Sequence, residues 1–200
     1  SLSAGADVST ASTGTVSVDA EGGDLSMTGT SAVTATNSSV RLNAFGSVTL
    51  GQVVAANVSV VADTGAIVNA AGSTMNVTAT NLRLQADDQI GSSDRHLSTT
   101  VTTLSALSTG SDTAGIFISE TDSITIDSVA VSVTTMHADA TTTVITDAAQ
   151  SDLTTLANNG HIVLTTIDGA IIINEGLAND TGISAQGAGN ILLDANGAGN

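Results

Sequence analysis

Short stretches of alternating apolar and polar residues recur along most of the chain. Within residues 82–129, the phrases LRLQA, IFISE and ITI alternate with a period of two and are bounded by Asp, Gly and Ser. Similar strand–turn–strand phrases occur as VSVVADTGAIV at residues 58–68 and as IVLTTIDGAIIIN at residues 162–174. Because one such unit cannot bury its apolar side alone, its repetition predicts an all-β fold of stacked strands, a β-solenoid.

The spacing of equivalent positions predicts the size of the repeat. Val18, Leu42, Val60 and Leu84 occupy matched inward positions, separated by 24, 18 and 24 residues. These intervals predict a parallel β-helix with about 20–25 residues per rung and irregular insertions.

Aspartates in the turns form a second series, with separations of 25, 34 and 46 residues: Asp63, Asp88, Asp122 and Asp168. We interpret the interval of 34 as a rung that carries an insertion and the interval of 46 as two rungs.

Two segments depart from the alternating pattern. Residues 92–115 are rich in Thr and Ser and are predicted to include a protruding loop, although VTTLSA also suits a strand. In residues 136–159, the phrase AAQSDLTTLA suits either one short helix or a strand. No change of composition marks a domain boundary, so we expect a single domain over residues 1–200, excerpted from a longer repeat protein.

The composition limits the interior and the possible partners. Aromatic residues make up 1% of the chain, and Pro and Cys are absent, so the interior must be narrow and filled by Val, Ile, Leu and Ala. Asn at equivalent turns is expected to form hydrogen-bonded ladders. The net charge of −16 argues against nucleic acid as a partner. No apolar run approaches the roughly 20 residues needed for membrane insertion.

Residues 57–129, and more loosely residues 161–200, contain phrases such as ADTGAIVNAAGSTMNVTATNLRLQADDQIGSS and GIFISETDSITIDSV. These resemble the repeats of filamentous-haemagglutinin-type proteins, which are large secreted or surface-displayed bacterial adhesins. The resemblance implies a right-handed parallel β-helix, an extracellular or cell-surface location, and a role as a stalk or adhesive shaft. It offers no catalytic motif and no cofactor.

Two acidic turns are candidates for calcium, because carboxylates are the ligands that hard cations prefer. The alternative is that these acids are solvated turn residues, since turns favour Asp for backbone reasons. The candidates lie in DAEGGD and ADDQIGSSD: Asp19, Glu21, Asp24, Asp87, Asp88 and Asp94.

The sequence favours no catalysis. His96, His137 and His161 are scattered without the spacing of a zinc site, and no GxSxG motif occurs. A polysaccharide-active β-helix enzyme remains a remote alternative that would rest on fold analogy.

We therefore expect a structural or adhesive shaft. Its partners would be further repeats of the same chain, or other copies end to end. The alternative is a module that binds carbohydrate or a cell surface through residues 92–115 and 136–159.

The residues between inward positions suggest one outward column that changes character along the chain. It is polar in the early rungs, at Ser17, Arg41, Ser59 and Arg83, and apolar later, at Phe117, Val163 and Leu192. We expect residues 136–159 to fold back over the apolar part. The alternative is that Phe117, Val163 and Leu192 form an interface with another chain.

Overall fold

The computed structural model describes residues 1–110, 115–156, 160–177 and 180–197. This part of the chain is all-β and contains no helix. Most of its strands are parallel and belong to one sheet of thirteen strands, an arrangement consistent with a β-solenoid. The strands are β1 (Asp7–Ser9), β2 (Val16–Ala20), β3 (Leu25–Ser26), β4 (Ala32–Ala44), β5 (Val48–Leu50), β6 (Gln52–Ala62), β7 (Ile67–Asn69), β8 (Val77–Ala86), β9 (Leu97–Ser108), β10 (Ile116–Glu120), β11 (Ile124–Ile126), β12 (Val129–Met136), β13 (Thr142–Gln150), β14 (Leu153–Thr155), β15 (Ile162–Thr166), β16 (Ile171–Ile173), β17 (Ile183–Ala185) and β18 (Ile191–Ala195).

Successive passes of the chain pair in the register that the sequence predicts. Val18 of β2 lies beside Leu42 of β4, which lies beside Val60 of β6 and then Leu84 of β8. The series continues to Ala106 of β9. We use "pass" for the stretch of chain between two such neighbours. The predicted parallel pairing and its spacing are confirmed over these strands.

Each pass contributes to three tracks of paired strands. One track holds the inward series just described. A second runs through β3, β5 and β7, continues through Ile90, and then follows β10, β15 and β18. A third begins with β1 on the first half of β4 and continues through the first halves of β6, β8 and β9. Strands β4, β6, β8 and β9 therefore each take part in two tracks.

The interior is aliphatic, as the composition predicts. Leu42, Leu84, Ile118 and Leu164 are fully buried within one continuous cluster of small apolar side chains. Neither phenylalanine belongs to that cluster. Burial of each Leu or Ile side chain contributes about 1.5–3 kcal/mol to stability, so stacking of passes is the main favourable term.

A short side-chain ladder lies beside the core, within strands and not at the turns where the asparagines were expected to stack. Asn81 Nδ2 donates a hydrogen bond to Asn57 Oδ1 at 2.8 Å, and Asn57 Nδ2 donates to Ser39 Oγ at 3.4 Å. These three residues occupy equivalent positions in β4, β6 and β8. The amide groups therefore link neighbouring passes outside the backbone ladder.

The structure defines both irregular segments. Half of residues 92–115 is strand β9, which contains the VTTLSA phrase and pairs with β8 from Thr99 to Ser108, and residues 111–114 lie outside the described part. Residues 136–159 belong largely to an antiparallel hairpin of β12 and β13, followed by β14. The AAQSDLTTLA phrase contains the end of β13 and the whole of β14, separated by a bend at Ser151 and Asp152; residues 157–159 are not described.

The interpretation of the aspartate series is also wrong. Asp63 and Asp88 belong to one corner of the coil, whereas Asp168 N donates to Thr121 O, beside Asp122, at another. The interval of 34 residues therefore compares two different corners. The interval of 46 is a single pass, since Ile116 pairs directly with Ile162, and the β12–β13 hairpin is its insertion.

Candidate functional site

An open groove of about 550 Å³ lies where β4, β6, β8 and β9 cross from the third track to the first. Thr78 and Thr100 are neighbours in β8 and β9, so their side chains line it at the spacing of adjacent strands. The wall combines hydroxyl, amide and small apolar groups with one carboxylate: Thr36, Asn37, Val54, Ala55, Ala56, Thr78, Ala79, Thr80, Thr100, Val101, Thr102 and Asp122. No basic or aromatic side chain is among them. Such a surface suits a neutral, hydroxyl-rich ligand.

A buried carboxyl group, Glu120, lies behind the Asp122 end of the groove. Glu120 accepts hydrogen bonds from Thr99 Oγ1 at 2.6 Å and from the backbone N–H groups of Val101 and Thr121, both at 3.0 Å. Burial raises the pKa of Glu120 to about 7, against the opposing effect of these donors, and a hydrogen bond with the Asp122 carboxyl raises it further.

The position of Glu120 explains its role. Strand β10 pairs with β9 only from Leu97 to Thr99 and ends at Glu120, whereas β9 continues to Ser108. The backbone N–H of Val101 in β9 therefore has no carbonyl of β10 to bond. The Glu120 carboxyl supplies the missing acceptor. Because the side chain is fully buried, it does not reach a ligand in the groove. In the IFISE phrase, Glu120 occupies an inward position in phase with Ile116 and Ile118. This position indicates a buried acid, which the sequence-based predictions did not include.

The β12–β13 hairpin packs on the first track. It contacts two arginines, Arg41 and Arg83, whose side chains point outward from that track. Arg41 Nε donates to both carboxylate oxygens of Asp147, at 3.0 and 3.1 Å, and Arg41 Nη1 lies 3.4 Å from Asp19. Arg83 Nε donates to Ala148 O at 3.1 Å. The expectation that this segment covers Phe117, Val163 and Leu192 is therefore wrong, because it covers the arginines instead.

Further contacts hold the hairpin at both ends. At its base, Gln150 Nε2 donates to Leu84 O at 2.9 Å. Near its tip, Thr15 Oγ1 donates to Thr134 O at 2.8 Å and accepts from Thr134 N at 3.0 Å. One side of β12 is buried, at Val129, Val131 and Val133, while the alternate residues face solvent. The hairpin is thus a packed layer and not a free loop.

The structure separates the two outward series that the sequence placed in one column. Ser17, Arg41, Ser59 and Arg83 are neighbours, and Ser105 follows them in the first track. Phe117, Val163 and Leu192 are neighbours of one another in the second track. Alternation identifies outward residues but does not identify the face on which they lie, which is why the single column is incorrect.

The calcium candidates have other partners. In the first turn, Asp19 Oδ1 accepts from Asn43 Nδ2 at 2.9 Å, Asp24 Oδ1 accepts from Ser47 N at 2.8 Å, and Glu21 is exposed. These contacts direct the two aspartates toward different groups.

In the second turn, Asp87 Oδ1 accepts from Thr109 Oγ1 at 3.2 Å, and Asp88 is exposed. Asp94 lines a separate shallow pocket with Arg95. Over the described residues, no three His, Asp or Glu side chains are grouped so that they could hold a metal ion.

The histidines also lie apart in different surroundings. The His96 ring lies 6.0 Å from the Phe117 ring, and burial lowers the pKa of His96. His137 Nε2 is bonded to Thr143 Oγ1, and His161 Nδ1 accepts from Asn190 N. The His137–Thr143 contact lies at the exposed end of the hairpin, apart from the other two rings.

The last passes leave apolar side chains exposed. Ile191 and Leu193 of β18 are 46% and 37% exposed, whereas their neighbours in β15, Ile162 and Leu164, are fully buried. Leu192, the third residue of the apolar outward series, is also exposed, while Phe117 and Val163 are half-buried. Over the described residues, the inward columns therefore lead to an exposed apolar face at β18.

Comparison with family models, with characterised proteins and with solved structures finds no match to this chain. Across the described ranges, no helix has the length and hydrophobicity required to cross a membrane.

Proposed function

We propose that this chain is a non-catalytic segment of a right-handed parallel β-solenoid that serves as a shaft in an extracellular bacterial adhesin or surface fibre. The observation that carries the proposal is the unbroken in-register stack from Val18 to Ala106, with a largely aliphatic interior. A stack of this kind makes the segment long and stiff, because every pass is hydrogen-bonded to the next along the axis.

The extracellular location and the adhesin class derive from the resemblance of the ADTGAIVNAAG and GIFISETDS phrases to filamentous-haemagglutinin-type repeats. The acidic, aromatic-poor composition supports a soluble display element. The uncovered face at Ile191 and Leu193 supports a partner that adds a further β-layer, either more repeats or another copy end to end.

Single-molecule pulling between the two termini tests the shaft. The force should release the early passes in successive steps of about 60–85 Å, the extended length of roughly 18–24 residues, and the pass that contains the hairpin in a longer step. The exposed Thr102→Ala variant should behave as the original protein, whereas Leu84→Ala, which opens a cavity in the stack, should lower the force. Loss of all structure in one low-force event would contradict a mechanical role.

A second candidate function is recognition of a neutral glycan in the groove lined by Thr78, Thr80 and Thr100. The hydroxyl groups support it, and the single carboxylate Asp122 disfavours acidic sugars. The groove keeps Thr100, Val101 and Thr102 of residues 92–115 in the proposed binding surface, whereas residues 136–159 form a docked hairpin on another side. A glycan array with the original protein and Thr80→Val tests it, with Thr146→Val on the hairpin as the control. Equal binding by all three proteins would exclude the groove.

A further inference from the structure

The outward column beneath the hairpin places a serine between two arginines. Ser59 pairs with Arg41 on one side and with Arg83 on the other, so their side chains leave the same face of three consecutive passes. Ser59 is fully buried, and Arg83 is 8% exposed. The docked β12–β13 hairpin covers this part of the column, through contacts at Asp147 and Ala148.

Two hydrogen-bond donors in this covered space lack a partner among the described residues. They are Ser59 Oγ and Arg83 Nη1. The other bonded nitrogens of Arg83 donate to neutral acceptors, Ala148 O and Gln85 Oε1, so no hydrogen-bonded anion neutralises its charge. An unsatisfied buried donor costs about 1–3 kcal/mol, and more when it is charged.

Both carboxylates near the hairpin are bonded to Arg41 and not to Arg83. Asp147 gives both of its oxygens to Arg41 Nε, and Asp19 also faces Arg41, from a more exposed position. Arg83 therefore interacts with Asp147 only through the field of a carboxylate that is already bonded elsewhere. The next acidic residue of the column, Asp152, lies two passes beyond Arg83. Arginine keeps its proton, so Arg83 carries a charge with no carboxylate hydrogen-bonded to it.

We infer that a small monovalent anion of chloride size binds under the hairpin, between Ser59 Oγ and Arg83 Nη1. Both atoms donate hydrogen bonds, and one carries formal charge, which suits an anion better than a second donor. A water molecule would satisfy the hydrogen bonds but would leave the guanidinium of Arg83 without a bonded counter-ion. The nearby Gln150 Oε1, which is also unpartnered, is an acceptor and suits a water molecule beside the anion.

The experiment compares chloride with gluconate at equal ionic strength, using the original 200-residue chain. Chloride should raise the melting temperature saturably by a few degrees at a hundredfold excess over its Kd. It should also show saturable broadening of the ³⁵Cl NMR line. Ser59→Ala should weaken both effects several-fold. Ser17→Ala, in the same column but at the first pass, should leave them unchanged.

Arg83→Gln provides a second variant, because it keeps hydrogen-bond donors and removes the charge. It should abolish the chloride effect while protease resistance of the hairpin reports whether the fold persists. Identical melting in chloride and gluconate would overturn the inference and leave water as the occupant. Equal chloride effects in Ser59→Ala and the original protein would also overturn it, because the anion would then bind elsewhere.

Discussion

Arg41 and Asp147, 106 residues apart in the sequence, form a bifurcated hydrogen bond in which the Nε–H of Arg41 donates to both carboxylate oxygens, at 3.0 and 3.1 Å. Both side chains are only 11% exposed. The contact attaches an inserted hairpin to an early pass of the stack, so it joins parts of the chain that the repeat pattern does not relate. This makes the hairpin a brace across the side of the sheet.

Asp147→Asn should loosen that brace. The variant removes the charge that faces Arg41 and is expected to lower the free energy of unfolding by about 1.5–3 kcal/mol, the usual contribution of a hydrogen bond to a charged group. Urea unfolding measures the loss, and limited proteolysis should show earlier cleavage within β12 and β13. Asp139→Asn, at the exposed hairpin tip, is the matched control and should change neither. Unaltered proteolysis in Asp147→Asn would show that apolar packing alone holds the hairpin.

Glu120 should make stability depend on pH. Its pKa is about 7 in the folded protein and about 4.5 in an ordinary environment, so the folded state binds more protons between these values. Stability should therefore fall as pH rises from about 4.5 to 7 and stay level above that, with a total loss of about 3 kcal/mol. Urea unfolding at pH 5 and pH 8 gives the difference.

Glu120→Gln isolates this contribution from the general effect of the acidic surface. The amide oxygen can still accept from Val101 N, but it does not titrate, so the loss between pH 5 and pH 8 should shrink to the background. Glu21→Gln, on an exposed turn, should keep the full dependence. An unchanged pH profile in Glu120→Gln would assign the effect to the overall charge.

The sequence predicted the local pairing well because hydrophobic alternation decides which side chains point inward. Val18, Leu42, Val60 and Leu84 are neighbours for that reason. Alternation carries no information about which outer face a residue occupies, so Arg83 and Phe117 were wrongly placed in one column. The Arg41–Asp147 contact was also missed, because it depends on how an insertion docks and not on the period.

Calcium should have little effect on stability if the acids keep the partners described above. Asp19, Asp24 and Asp87 each accept a hydrogen bond from a different part of the chain. Millimolar calcium should therefore shift the melting temperature no more than magnesium at matched ionic strength. Specific binding would instead stabilise by about 2.7 kcal/mol at a hundredfold excess over Kd. A saturable rise that only calcium produces would restore the acidic turns as a site.

Phe117 and Val163, the first two residues of the apolar outward series, should contribute more to folding stability than to association between chains. Phe117 is half-buried, with its ring near His96, and Val163 lies beside it in the next pass. Phe117→Thr with Val163→Thr should lower stability by about 1–3 kcal/mol through lost burial. Val144→Thr, on the exposed side of the hairpin, should cost little. A changed molecular mass by light scattering, with unchanged melting, would instead make this series an interface.

The uncovered end of the stack should drive association between copies. Ile191 and Leu193 stand at positions that are fully buried one pass earlier, and β18 is paired only with β15 among the described strands. Its free edge and apolar side chains can both be satisfied by another β-layer. Light scattering should show a mass that rises with concentration, and Leu193→Asp should shift the rise to higher concentration.

Met136→Asp provides the matched control for that end. Met136 is also exposed and apolar, but it lies at the hairpin tip, away from β18. If the end face is responsible, this variant should associate as the original chain does. Loss of association in Met136→Asp but not in Leu193→Asp would transfer the contact to the hairpin. A constant monomer mass in all three proteins would mean that the exposed edge alone, about two aliphatic side chains per copy, does not offset the entropy lost on association.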